Sequence, residues 1–160
     1  MEQVKRRVFF SFHYKRDSWR VQQIKNMGVV EGQKICSPNE WEKVKKNNDN
    51  GIKKWINEQM RYKSCVIVLI GQETYGRKWI NYEIEKAYND GKGLFGVYIH
   101  HLKDKDGKID KMGRNPFDYF SLDKEPLSKI IKTYNPSNYS CIRENLSDWI
   151  EIAISESNSR

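Results

Sequence analysis

No apolar stretch in this 160-residue chain approaches the ~20 residues that a membrane-spanning helix requires. The opening MEQVKRRVFFSF also lacks the apolar core and small-residue cleavage site of a secretory leader, so a cytoplasmic location and no membrane partner are expected. Cysteine is scarce: Cys36, Cys65 and Cys141 are odd in number and widely spaced, which argues against a disulfide framework and against a zinc site. Glycine-rich phosphate cradles are missing, with no G-x-G-x-x-G and no P-loop, so any nucleotide is held by other means. Ser11 and His13 lack the flanking glycines of a nucleophile elbow. Asp104, Asp106, Gly107 and Asp110 miss the spacing of a calcium loop and have no glutamate at its twelfth position. His100 and His101, adjacent at a strand end, are expected to point to opposite faces and not to share a metal. No metal and no cofactor is expected.

Acidic residues are also outnumbered, 21 Asp and Glu against 29 Lys and Arg, for a formal net charge of +8. That balance suits an anionic partner: nucleic acid, a phosphate-bearing small molecule or an acidic protein surface. Nucleic acid is disfavoured, because the chain has no aromatic RNP signature, no zinc-finger spacing and no long basic stripe. The densest cations, Lys43, Lys45, Lys46, Lys53 and Lys54, read as the solvated face of a helix. The length allows one domain over residues 1–160 with one sizeable core.

What is present is an alternation of apolar runs and amphipathic segments. Val8 to Phe12 reads as a strand, followed by a helix capped by Asp17 or Ser18 and stopped at Gly28 after Met27. Val29 to Ser37 is a weaker strand candidate closed by Pro38. Ile52, Trp55, Ile56 and Met60 predict a helix after Gly51, with an irregular lead-in from Trp41 through NNDNG. Cys65 to Ile70 and Leu94 to Ile99 are buried strands flanking a helix from Trp79 to Asn89 that Gly91 stops. Beyond His101 a long polar excursion is expected, and then a last helix carrying Leu146, Trp149, Ile150, Ala153 and Ile154, whose SESNSR end frays. Uninterrupted apolar runs alternating with helices predict an α/β fold: a doubly wound, mainly parallel sheet covered on both faces. Such sheets bind ligands beyond the carboxyl ends of their strands, which points to Ser11, Phe12, His13 and Gly71 to Thr74.

Glu83 stands out on the helix that follows VLIG. At about 100° per residue from Ile80, Ile84 falls near +40°, Ala87 near −20° and Tyr88 near +80°, defining the sheet-facing stripe. Glu83 falls near −60°, about at the border of that stripe, with Trp79 one turn earlier, whereas Glu85 points to solvent. Two readings fit: an edge carboxylate paired with a lysine such as Lys86, or an acid held in a crevice. A single carboxylate is too little for an ordinary glycosidase, whose leaving alcohol must be protonated. NAD differs, because nicotinamide departs as a neutral base from a pyridinium, so a carboxylate that offsets oxocarbenium charge can suffice. Aromatics suit its bases and lysines its pyrophosphate.

VFFSFHY at Val8 to Tyr14, VLIG followed by ET at Val68 to Thr74, RKWINYEIEKA at Arg77 to Ala87, and GLFGVYIHHLKDKDG with GRNPFDYF further on resemble the TIR-like family of bacterial antiphage defence proteins typified by Thoeris ThsB. The resemblance covers about residues 6 to 120. It implies a flavodoxin-like sheet, cleavage of NAD as substrate, and a cyclic or modified ADP-ribose that diffuses to a downstream effector protein, with possible self-association. It aligns Glu83 with the family's catalytic glutamate and Trp79 with the tryptophan before it, and Ser11, Phe12, His13 and Trp41 complete the candidate substrate-binding set. Arg7 replaces an acidic residue common in receptor-type TIR domains, and no proline-containing loop of the receptor kind appears around Gly32 to Pro38. The portion from about Leu122 is shorter than expected of a Thoeris protein. A non-catalytic TIR-like interaction module and a nucleoside deoxyribosyltransferase-like enzyme remain as alternatives.

Overall fold

Cys65–Ile70, six consecutive residues all buried, can only be a strand covered on both faces, and the rest of the chain is arranged to cover it. The computed structural model describes residues 5–36 and 38–160. Met1 to Val4, where the leader was sought, and Ser37, the end of the weaker strand candidate, lie outside the described residues.

In chain order the elements are β1 (Arg7–Ser11), α1 (Tyr14–Lys25), β2 (Glu31–Gly32), α2 (Pro38–Lys45), α3 (Asp49–Met60), β3 (Cys65–Ile70), α4 (Lys78–Asn89) and β4 (Gly93–Tyr98). A 3₁₀ turn at Pro116–Tyr119, the short strands β5 (Ser121–Leu122) and β6 (Glu125–Pro126), a second 3₁₀ turn at Leu127–Lys129, β7 (Thr133–Tyr134) and α5 (Tyr139–Ser157) follow. The main sheet is parallel throughout, in the order β2-β1-β3-β4-β7, which is the flavodoxin-like order with its switch point between β1 and β3. Strands β5 and β6 form a separate antiparallel pair.

Alternation along the strands divides the core in two. Val8, Phe10, Ile67, Leu69, Phe95 and Val97 face α1 and α5, where Val21, Ile24, Ile142, Leu146 and Ile150 meet them. Phe9, Val66, Val68, Ile70 and Leu94 face α3 and α4, through Ile52, Ile56, Met60, Ile80, Ile84 and Ala87. Gly91, at φ +72°, takes the left-handed conformation that ends α4 and lets the chain turn into β4.

Several expectations are corrected. Helix α1 begins a turn earlier than Asp17, because the His13 ring accepts a hydrogen bond from Arg16 N at 3.2 Å and serves as the cap. Part of the lead-in before Gly51 is helical, as α2, and Asn48 caps α3 by accepting from Gly51 N at 2.8 Å, so that Gly51 sits inside a helix. The strand candidate from Val29 contributes only Glu31 and Gly32, since the side-chain amide of Gln33 takes over the ladder. Its Oε1 accepts from Phe10 N at 2.9 Å and its Nε2 donates to Phe10 O at 2.8 Å. Strand β7 escaped the sequence reading because two half-buried residues make no apolar run. The C-terminus does not fray at SESNSR: α5 continues to Ser157, and Arg160 donates to Lys92 O at 2.8 Å. His100 and His101 do not diverge, because both lie in the turn beyond β4 where strand alternation no longer applies, and their ring centroids are 4.1 Å apart.

The polar excursion is fastened to α1. Arg20 donates to Leu102 O at 2.7 Å and Lys108 O at 3.0 Å, and Arg16 pairs with Asp110 at 3.0 Å. Asp104 caps its own turn by accepting from Asp106 N and Lys108 N. Among the described residues no helix is long and apolar enough to cross a membrane.

Replacing Gln33 by Leu removes the partners of two buried backbone groups in β1, each worth about 1–3 kcal/mol when left unsatisfied. Denaturant unfolding of Gln33→Leu is expected to show a loss of about 2–4 kcal/mol, whereas a loss under about 1 kcal/mol would contradict the ladder role.

Candidate active site

Two loops leave the carboxyl ends of β1 and β3 and bracket a cleft of about 420 Å³. The first is short: Ser11 ends β1, Phe12 and His13 turn the chain, and Tyr14 opens α1. The second runs from Gly71 to Arg77 and delivers the first turn of α4. Phe12, His13, Tyr14, Lys15, Trp41, Lys45, Arg77, Lys78, Trp79, Ile80 and Glu83 line the cleft, drawn from β1's loop, α1, α2 and α4. The volume falls in the range of small-molecule sites.

Glu83 is deeper than its helical angle suggested. It is 3% exposed and belongs with Ile80, Ile84 and Ala87 in the buried set of α4, rather than at the border of the stripe. Lys86 is not its partner, because Lys86 pairs with Asp90 at 2.8 Å. Ser11 is, donating from Oγ to Glu83 Oε1 at 2.6 Å across the β1–α4 interface. Burial pushes the Glu83 carboxyl up from 4.5 to about 8, and the Ser11 hydrogen bond offsets only part of that rise. At neutral pH the ligand-free carboxyl therefore holds its proton.

An aromatic wall stands beside it. Phe12 and Tyr14 have ring centroids 4.3 Å apart, and Tyr14 stacks on Trp41 at 4.4 Å and 16°. The Tyr14 hydroxyl is buried and unbonded; Gln33 lies beside it, but the Gln33 amide is committed to Phe10. Trp79 meets Tyr82 edge-on at 5.9 Å. His13 is held below its usual value, first by burial and then by the nearby Arg77 charge, which agrees with its unprotonated Nδ1 accepting the cap hydrogen bond. Helix α4 begins at this cleft without a side-chain cap and without an acid in its first turn.

The structure thus gathers Phe12, His13, Trp41, Trp79 and Glu83 around one cavity and places Ser11 behind the carboxyl. It does not bring Gly71 to Thr74 into the lining. Gly71 is pressed against Asp17, where an added Cβ would lie 2.2 Å from Asp17 Oδ2, and its N–H donates to Thr74 Oγ1 at 2.8 Å. Asp17 is wholly buried with neither oxygen hydrogen-bonded, and burial raises it to about 6 despite Arg16 and Arg20. Among the described residues no group of three His, Cys, Asp or Glu is placed to hold a metal ion.

Residues 9–104 match the family model described as Thoeris protein ThsB, TIR-like domain, a span that includes every lining residue. The chain belongs to the Thoeris ThsB TIR-like family. A relative from Bacillus cereus (strain MSX-D12), named "Putative cyclic ADP-D-ribose synthase ThsB1", is 36% identical over 134 residues, covering 81% of this chain and 70% of its own. In this ThsB-like chain the sequence reading missed Tyr14, Lys15, Lys45, Arg77, Lys78 and Ile80. Four of them were legible in principle, since Tyr14 and Lys15 follow His13 directly and Arg77 and Lys78 lie between Thr74 and Trp79, within four residues of where the strand-end rule was applied.

A carboxyl whose folded value lies above its unfolded one binds more protons when folded, so its burial costs nothing below about pH 4.5 and progressively more up to about pH 8. The slope for one proton is at most about 1.4 kcal/mol per pH unit. Asp17 acts in the same direction between 3.8 and about 6. Glu83→Gln is expected to remove the fall between pH 6 and 8, so that the variant equals or exceeds the parent in melting temperature at pH 8. A parallel fall in both proteins would show that Glu83 is ionised in the fold. Glu85, exposed two residues away, is the control: Glu85→Gln is expected to change stability by under about 0.5 kcal/mol.

Proposed function

We propose that this protein cleaves the nicotinamide N-glycosidic bond of NAD and releases a cyclic or otherwise modified ADP-ribose as a diffusible signal. The observation that carries the reading is Glu83: the lone carboxyl in the cleft lining among the described residues, buried, oriented by Ser11 and flanked by aromatic rings. The name of the Bacillus cereus relative supports the substrate class. Membership of a Thoeris family supports a role in antiphage defence, with an effector protein reached by the product.

The chemistry follows from the charges. The ribosyl C1–nitrogen bond breaks with its electron pair going to the pyridinium nitrogen, so nicotinamide leaves neutral and no acid is needed. Positive charge moves onto the ribose, where an ionised Glu83, itself buried from water, stabilises it. The bound pyridinium itself favours ionisation of Glu83, in the way any close cation lowers a carboxyl. A hydroxyl or a ring nitrogen of the same molecule then captures the ribosyl carbon, the hydroxyl giving its own proton or the base an amino N–H proton to Glu83, and the product is cyclic; water in that place gives linear ADP-ribose. The half-buried Trp41 and Trp79 supply flat faces for the bases, backed by the buried rings of Phe12 and Tyr14. Self-association belongs to the same proposal, a neighbouring copy covering the end of the dinucleotide that the cleft leaves open.

Nicotinamide release from NAD is expected to fall by at least about a hundredfold in Glu83→Gln, the usual scale for losing one electrostatic stabiliser. In the parent, kcat/KM is expected to rise with pH to a midpoint near 8, the value at which the free enzyme's Glu83 gives up its proton. Mass spectrometry of the product separates cyclic from linear ADP-ribose. Retained turnover in Glu83→Gln would remove the assignment, and linear ADP-ribose alone would remove the signalling half.

A further inference from the structure

Among the described residues four cations line the cleft, Lys15, Lys45, Arg77 and Lys78, and Glu83 is the lone carboxyl of the lining. They are unequally committed. Lys78 pairs with Asp49, and Lys45 lies 3.5 Å from Glu42. Arg77 donates its Nε to Glu73 O at 3.0 Å and keeps Nη2 3.5 Å from the Glu73 carboxylate, with half of its side chain still in solvent. Lys15 has neither an ion pair nor a hydrogen bond among the described residues, and it is exposed.

Position singles out two of the four. Lys15 stands in the first turn of α1, two residues past the β1 turn, and Arg77 in the loop immediately before α4, so each lies at the carboxyl edge of the sheet on either side of the β1/β3 switch point. His13, two residues before Lys15, lines the cleft with both, and the Arg77 charge is near enough to disfavour its protonation. The aromatic faces sit deeper and to the sides, Tyr14 and Trp41 from α1 and α2, Trp79 from α4. A cationic mouth over aromatic walls and a neutral floor is the polarity pattern complementary to a molecule with flat rings at its ends and an anionic centre.

We infer that Lys15 and Arg77 form a diphosphate seat at the mouth of the cleft, gripping the anionic bridge of a dinucleotide while its bases enter the aromatic walls. Lys15 supplies an uncommitted point charge, and Arg77 a fork already oriented by Glu73. The assignment rests on the dinucleotide reading for the identity of the whole ligand, but the seat itself requires only an adenosine diphosphate moiety.

Binding therefore tests it without turnover. Calorimetry with ADP-ribose and with adenosine is compared for the parent, Lys15→Met, Arg77→Met and Lys54→Met, the last removing an equal charge from α3 outside this cleft. Lys15→Met and Arg77→Met are each expected to weaken ADP-ribose about tenfold, to leave adenosine unchanged and to flatten the salt dependence, as loss of a charge-assisted contact does. Lys54→Met is expected to change neither ligand. Equal weakening by Lys54→Met would reduce the effect to net charge, equal loss of adenosine would reduce it to structural damage, and unchanged ADP-ribose affinity would leave no seat; each overturns the inference. ADP-ribose binding that depends on Lys15 in a protein that never releases nicotinamide would overturn the NAD-cleaving reading and leave the seat standing. NAD cleavage with ADP-ribose affinity indifferent to both variants would overturn the seat alone.

Discussion

A carboxyl taken out of water and given a single hydrogen bond keeps its proton to unusually high pH, and that constraint on Glu83 governs what the cleft can do. Ser11 and Glu83 meet because β1 and α4 are packed through Phe9, Ile80 and Ile84, so the donor's position is set by the same core that holds the sheet together. Loosening that packing would admit water, lower the carboxyl toward 4.5 and remove the reason a cationic ligand changes its charge state. The fold and the electrostatics of the cleft are in this sense one arrangement.

The remainder of the cleft is organised by distance from that buried group. Aromatic rings that need no counter-charge lie close to it, and the cations that would stabilise an ionised Glu83 are kept toward the mouth, engaged with Glu42, Asp49 and Glu73 or facing solvent. Charge separated in this way offers an anionic part and a cationic part of one ligand different environments within the same cleft. The opposite side of α1 uses charge differently, with Arg16 and Arg20 converging on Asp110 to strap the polar excursion across the end of the sheet.

Strand β3 was legible to the residue, and β4 to within one, because fully buried parallel strands leave an apolar run that nothing else imitates. Helix α4 and its phase were legible for a similar reason, although one-dimensional angles put Glu83 at an edge that three-dimensional packing against β1 closes over. What stayed hidden depended on side chains standing in for backbone. His13 caps a helix that Asp17 was expected to cap, and Gln33 continues a strand that the chain itself abandons. Phe12 and His13 followed from the strand-end rule and Trp79 from its place one turn before Glu83, whereas Tyr14 was passed over and Lys15, Lys45, Arg77 and Lys78 were lost among 29 cations until the fold placed them.

The central claim is that Glu83 is a buried carboxyl whose proton is displaced by a cationic ligand. Carbon-13 NMR of the glutamate carboxyl groups, assigned by comparison with Glu83→Gln, measures this directly. The account predicts a Glu83 midpoint near 8 in the free protein and a lower one when a cationic, uncleavable nicotinamide dinucleotide analogue is bound. A midpoint near 4.5 in the free protein, or one that does not respond to the bound analogue, would contradict it.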